Sequence, residues 1–243
     1  GWAVTLIDPG SEPRRPSEGN AGWIGHTDIM PLASPKAWQH VPDWLRDPLG
    51  PLAIRPAYLP RLMPWLTRFM LASRPARIEA SILALRSLQA GALAAWQRRL
   101  AALGLQHHLR ERGVLYVWLD VQDMAVAKGM LERQMMFGIP LEVLDGPAVR
   151  RLEPALGEAI VGGVLYPDGC HVSDPRVLLE ALHAAAIQRG VDHIRSRATR
   201  ITPTRREILV ATAAGENIAA GHVVIAAGAW SKPLAAQLGD AIP

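Results

Sequence analysis

Gly1-Trp2-Ala3-Val4-Thr5-Leu6-Ile7-Asp8 opens the chain: a turn glycine, then a short apolar run rich in β-formers that ends on an acid. An unbroken apolar run of this kind is expected of a strand buried in a parallel sheet. Such a strand needs neighbours. In a dinucleotide-binding βαβ unit the glycine-rich turn stands roughly 20 residues ahead of the acid that closes the second strand. Here that position falls upstream of Gly1, and no G-x-G-x-x-G occurs in the sequence. The expectation is a chain cut inside its nucleotide-binding unit, unless the strand reading itself fails.

Working outward, Asp8 at a strand's carboxyl end is placed to accept hydrogen bonds from ribose hydroxyls, with a solvated strand-end carboxylate as the bland alternative. Gly19, Gly22 and Gly25 follow at three-residue spacing, where the lack of Cβ lets a backbone come close to a phosphate or a flat ring; a flexible loop explains them nearly as well. Val223-Val-Ile-Ala-Ala-Gly-Ala-Trp-Ser231 is the sharper second signal. An apolar strand running straight into Ala227-Gly228 can turn its strand-end amides toward a pyrophosphate, against a plain buried strand and tight turn.

Between these segments, the Pro-interrupted stretch 31–64 fits no long regular element. Apolar residues at three- and four-residue steps over 76–103 predict one long amphipathic helix stopped by Gly104. A strand is expected over 113–119, a helix over 121–138 closed by Gly138 and Pro140, and a shorter helix over 147–156. Asp174 and Pro175 suit the N-cap and first position of a helix stopped by Gly190. Strands are expected over 191–196, 207–213 and 222–226.

The 243 residues carry 26 basic against 22 acidic groups, 49% hydrophobic residues and a single cysteine. That is enough apolar material for one large or two small cores, and it excludes disorder and a disulfide scaffold. One unpaired cysteine fits a reducing, cytoplasmic setting. Only Lys36, Lys128 and Lys232 are lysines, and the basic residues are scattered, so nucleic-acid binding gets little support. The eight histidines form no metal-ligand pair at helical spacing, and no metal site is expected. Cys170 beside His171 reads as a buried inert thiol rather than a thiolate pair. Trp65, Phe69, Met70 and Arg68, with Arg61 and Trp44 nearby, read either as core or cap packing, the commoner fate, or as a membrane-surface patch.

Taken in order, the V-T-L-I-D strand of residues 4–8, the Ser17-Glu-Gly-Asn20-Ala21-Gly22 loop, Pro51-Leu-Ala-Ile-Arg55-Pro56, the stretch 163–175 and V-V-I-A-A-G-A-W-S resemble the D-amino-acid dehydrogenases. These are flavoproteins of the D-amino-acid oxidase and glycine oxidase superfamily. The resemblance implies an α/β fold in which a Rossmann-like FAD-binding domain (residues 1–45 and 155–243) carries an inserted α+β substrate or cap domain (46–154), both truncated. It implies FAD as cofactor, with Asp8 on the ribose, Ser17, Asn20, Ala21 and Gly22 along the pyrophosphate and flavin, Thr199 with its backbone toward the adenine, and Ala227 and Gly228 as a second phosphate-proximal turn. It implies oxidation of a D-amino acid to a 2-oxo acid and ammonia, with electrons passed to a quinone or other acceptor; the Trp65, Phe69 and Arg68 cluster, if it lies on the surface, adds a peripheral seat on the inner face of the cytoplasmic membrane. An oxygen-using oxidase of glycine, sarcosine or a cyclic imino acid, or a non-catalytic remnant without FAD, are the alternatives. Two departures stand out: Arg15-Pro16 where the family often has Glu-Thr, and Trp23 where Gln or His is frequent. No catalytic residue is assigned, because the groups that clamp the substrate carboxylate are expected beyond Pro243.

Overall fold

The computed structural model describes residues 1–10, 18–32 and 55–242. Along the chain β1 (Thr5–Ile7) and β2 (Trp23–Ile24) precede three helices, α1 (Leu59–Ala72), α2 (Pro75–Gln89) and α3 (Ala92–Leu103). Then come β3 (Leu109–Arg110), β4 (Val114–Trp118), α4 (Val121–Met136), β5 (Glu142–Asp145), α5 (Gly146–Leu152), β6 (Gly162–Tyr166) and β7 (Cys170–Val172). The last part holds α6 (Pro175–Gln188), β8 (Asp192–Ile194), β9 (Ala198–Pro203), β10 (Ile208–Thr212), β11 (Asn217–Ala220) and α7 (Ser231–Ala236). This is the α/β class expected. The chain packs as two units, Gly1–Asn20 with Asp174–Pro243, and Ala21–Ser173. Residues 21–32 and 155–173, grouped in the sequence with the first and last segments, therefore pack within the second unit.

In the first unit β1 lies parallel to β8, with Thr5 opposite Asp192 and Ile7 opposite Ile194. A separate antiparallel sheet runs β11-β10-β9, with a register shift at Ala211 and Thr212. Asp174 caps α6 as its sequence predicts: its Oδ1 accepts from the amides of Arg176 at 2.8 Å and Val177 at 3.2 Å, and Pro175 takes the first helical position, where a missing N–H costs nothing. Gln237, just past α7, presents its side-chain amide to the edge of β9. Its Oε1 accepts from Ile201 N at 3.0 Å and its Nε2 donates to Thr199 O at 3.1 Å, as a neighbouring strand would.

The second unit is built on the antiparallel sheet β4-β6-β5. Strand alternation divides its side chains between two covered faces. On one, Val164, Tyr166 and Trp118 pack with Ile29, with Ile78 and Ile82 of α2 and with Leu131 of α4. On the other, Leu115, Leu165 and Leu144 pack with Val149 of α5 and with Ile160. Gly162 and Gly163 permit this double covering. A Cβ on Gly163 would stand 2.6 Å from Tyr116 O and 2.9 Å from Val149 Cγ2, and one on Gly162 would stand 2.6 Å from Met124 Sδ. A second sheet, β2-β7-β3, holds the strand that follows Gly22.

Four sequence expectations are corrected. The helix expected over 76–103 is two: Gly91 at φ −103° and ψ 0° interrupts it, and a new helix starts at Ala92. Glycine costs about 1 kcal/mol inside a helix relative to alanine, enough to let a turn compete there. Helix α1 begins within the Pro-rich stretch, with Pro60 in its first turn and Pro64 inside it. The stretch 222–226 forms no ladder among the described residues, because no strand lies beside it; Val224 is 87% exposed. Strand β1 is parallel as expected but not buried, since among the described residues it has one neighbouring strand and Val4 and Leu6 stay exposed.

Two substitutions test the close approach at the central sheet. Gly163→Ala should lower stability by about 1–3 kcal/mol through overpacking. Gly129→Ala, in α4 with nothing within 4 Å of the added carbon, should raise it by up to about 1 kcal/mol. Denaturant midpoints that shift the same way for both would contradict the assignment.

Candidate functional site

Asp8 stands one residue past β1, and its main chain is held from both sides. Its amide donates to Ile194 O at 3.2 Å, extending the parallel pairing by one residue. His193 Nε2 lies 3.1 Å from Asp8 O, and His193 Nδ1 lies 3.2 Å from His183 Nε2. A carbonyl only accepts, so His193 donates from Nε2; as a neutral ring it then accepts at Nδ1 from His183. The side chain also closes the following turn, for Asp8 Oδ1 accepts from Gly10 N at 2.8 Å, and Gly10 holds φ +87°, a conformation glycine adopts without strain. The strand-end carboxylate is thus positioned by a parallel register, two imidazoles and a tight turn.

Thr199 is the second residue of β9. Its hydroxyl donates to Ala211 O at 3.1 Å, its carbonyl accepts from Gln237, and it lines an open depression of about 430 Å³ with Arg200, Thr202, Leu209, Ala211 and Asn217. Ala227 and Gly228 begin the 3-10 turn Gly228–Trp230 that leads into α7; Trp230 N donates to Ala227 O at 3.0 Å. Gly228 holds φ +54°, and nothing lies within 4 Å of where its Cβ would be. Gln237 ties the end of α7 to Thr199, so these two expected sites share one local framework. Asn20 ends an exposed turn in the same unit, and Trp2 stacks edge-to-face on His222 with ring centroids 5.1 Å apart. Ser17 and residues 51–54 lie outside the described residues.

In the second unit Ala21 is exposed, and Gly22 is buried at φ +68° with its carbonyl accepting from Val172 N at 2.8 Å. Trp23 follows in β2, opposite His171 of β7. Its ring meets Tyr116 edge-to-face at 5.9 Å, and Tyr116 meets Tyr166 at 5.8 Å. Tyr166 is buried and donates its hydroxyl to Gln134 Oε1 at 2.7 Å. Burial lifts the pKa of Asp28; burial and the Asp28 charge lift those of Tyr116 and Tyr166, the Gln134 hydrogen bond opposing the rise in Tyr166. Sequence reading passed over Asp28, Tyr116, His183, His193 and Gln237. Only the fold brings them to their partners; no local spacing marks them. Among the described residues no three His, Cys, Asp or Glu side chains converge as metal ligands would.

Over residues 1–243 the chain matches the profile of the DAO family, described as FAD dependent oxidoreductase. It is 35% identical to a D-amino-acid oxidase from Bradyrhizobium diazoefficiens over all of this chain and 58% of that protein. It is 29% identical to D-amino acid dehydrogenase 2 from Ralstonia nicotianae over 98% of this chain and 57% of that protein. Glycine oxidase from Bacillus cereus superposes on 63% of this chain and 43% of its own with a TM-score of 0.55 and 27% identity. The chain therefore spans less than two thirds of the length of each.

Cys170 and His171, adjacent in β7, face opposite sides of their sheet. Burial, with the Glu111 charge adding to it, pushes the Cys170 thiol up from the ordinary 9 to about 11. The folded protein should resist iodoacetamide at pH 8 and react once unfolded. The native thiol keeps a proton that the unfolded chain releases, so stability should fall as pH rises from about 9 to about 11. Rapid alkylation of the native protein at pH 8 would contradict the placement.

Proposed function

The chain belongs to the DAO family of FAD-dependent oxidoreductases, and from that premise we propose that the protein oxidises the CH–NH2 group of D-amino acids to 2-oxo acids and ammonia, passing electrons on to a quinone. The observation that carries this reading to the chain's own residues is Asp8, fixed at the carboxyl end of a parallel strand where an acid can take two ribose hydroxyls. The other residues fit the same group. The open space above Gly228 accommodates a close approach by a phosphate, Gly19 likewise has nothing within 4 Å of where its Cβ would be, and Gly22 turns the chain at φ +68°.

In this reading Asp8 holds the ribose, Ser17, Asn20, Ala21 and Gly22 pass the pyrophosphate and flavin, Thr199 meets the adenine from the start of β9, and Ala227 and Gly228 form the second turn. FAD held there would supply the oxidising power, as acceptor of the hydride that leaves the substrate's α-carbon. The protein's part is to orient the α-carbon, to keep the amine neutral for the transfer and to exclude water until the imine is released and hydrolysed. A second reading, with oxygen as the acceptor, is favoured by the 35% identity to a protein named an oxidase.

The proposed setting is cytoplasmic, against an anionic membrane where quinone is at hand. Helix α1 supports it, because Trp65, Met63 and Met70 are exposed, Trp65 stacks on Phe69 at 5.0 Å, and Arg61 and Arg68 are the helix's charges. Among the described residues no helix is long and apolar enough to cross a membrane. Attachment to vesicles containing anionic lipid should weaken as salt is raised.

Asp8→Asn keeps an oxygen for the Gly10 turn while removing the charge. It should weaken FAD about tenfold or more, the size of one lost charge-assisted hydrogen bond, in a flavin fluorescence titration. Unchanged affinity would return Asp8 to a solvated strand end. After anaerobic reduction with a D-amino acid, a soluble quinone should reoxidise the protein faster than air-saturated buffer; faster reoxidation by oxygen with stoichiometric peroxide would favour the oxidase reading.

A further inference from the structure

Three side chains of the second unit, Trp23, Asp28 and Tyr116, gather around the turn at Gly25. Trp23 and Asp28 flank Gly25: a Cβ added there would stand 3.8 Å from Asp28 Cβ and 3.8 Å from Cη2 and Cζ3 of the Trp23 ring. Trp23 in turn meets Tyr116 edge-to-face, with ring centroids 5.9 Å apart and the rings inclined by 71°. Tyr116 is on the sheet face that carries Val164 and Tyr166, yet it is 43% exposed where Tyr166 is 4% exposed. Trp23 Nε1 is buried with no hydrogen-bond partner among the described residues. An indole N–H in that state is costly, by about 1–3 kcal/mol in the general case, so its surroundings are not fixed by the demands of packing alone.

Asp28 completes the group. Its amide donates to Gly25 O at 3.1 Å, which fixes the turn that aims it, and among the described residues no cationic side chain is paired with it. The carboxylate is accessible on one side and shielded on the other; the shielding lifts its pKa, and its charge acts on both tyrosines. A carboxylate with no cationic partner among the described residues, beside an indole that in turn meets a phenol ring, has the composition of a cation-accepting cage. Aromatic faces attract an ammonium or guanidinium through the ring quadrupole, and the carboxylate adds direct charge attraction.

We infer that Trp23, Tyr116 and Asp28 receive the side chain of the substrate and select D-amino acids whose side chain carries a positive charge. The inference rests on the function proposed above and adds the substrate class. It also gives Trp23 a task, at the position where the chain departs from the resemblance noted in its sequence.

The test compares D-lysine with D-norleucine, which match in chain length and differ in the ε-ammonium group. Dissociation constants are read from intrinsic tryptophan fluorescence, and kcat/KM from dye reduction by the FAD-loaded protein. The wild type should prefer D-lysine about tenfold, a difference of ~1.4 kcal/mol. Asp28→Asn should bring the ratio close to one and Tyr116→Leu should lower it part of the way, with unfolding midpoints measured alongside. A wild type that takes D-norleucine as well as D-lysine, or an Asp28→Asn ratio equal to the wild-type ratio, overturns the cage and leaves the oxidation of D-amino acids standing. Equal weakening of both ligands in Asp28→Asn would place Asp28 on the α-ammonium group instead and also overturns it. Failure to bind or oxidise any D-amino acid overturns the cage together with the reading beneath it.

Discussion

Parallel pairing of β1 with β8 is the constraint from which the rest of the first unit follows. A parallel strand cannot be reached by a hairpin, so the chain must leave after Asp8 and return much later to place His193 beside Leu6. The return is secured by the Asp174 cap, which starts α6 at a defined residue, and by Gly190 at φ +84°, which ends it just before β8. The His183–His193 pair then reads back across 185 residues to the carbonyl of Asp8. A polar side chain at the end of a short exposed strand would otherwise be free to wander; here the backbone beneath it is bonded on both sides before any ligand arrives.

The second unit solves a different problem, how to place aromatic groups at a rim while keeping their sheet covered. Gly162 and Gly163 let α4 and α5 approach β6 from opposite faces, and the two apolar clusters form around them. Tyr166, at the far end of the same strand, sinks into one cluster and satisfies its hydroxyl with Gln134, whereas Tyr116, diagonal to it across the β4–β6 ladder, stays accessible. Two tyrosines on one sheet face therefore have different fates, set by whether a helix residue reaches the hydroxyl.

Local signals were the legible part. Asp174-Pro175, Gly104 and Gly138 announced helix ends because caps and left-handed glycines act within a few residues, and Asp8 was legible because a strand-end acid is a local pattern too. Signals that depend on a neighbour were not. The run 222–226 has every property of a buried strand and forms no ladder, since strand character needs a partner as much as a sequence; the break at Gly91 was hidden because apolar periodicity continues across it. The same reason hid Asp28, Tyr116 and the two histidines, whose partners come from other elements. Trp23 was legible as a departure from a resemblance, but its contact with Tyr116 was not.

In the function proposed above, the first unit holds the adenine nucleotide half of FAD through Asp8, Thr199 and the Ala227–Gly228 turn. Amide hydrogen exchange of the protein with and without FAD tests it most directly. On adding FAD, exchange should slow at the turn Asp8–Gly10, at the start of β9 and at residues 227–230, with the α4 core unchanged. Exchange that is the same with and without FAD at all three places, or protection confined to other segments, would contradict it.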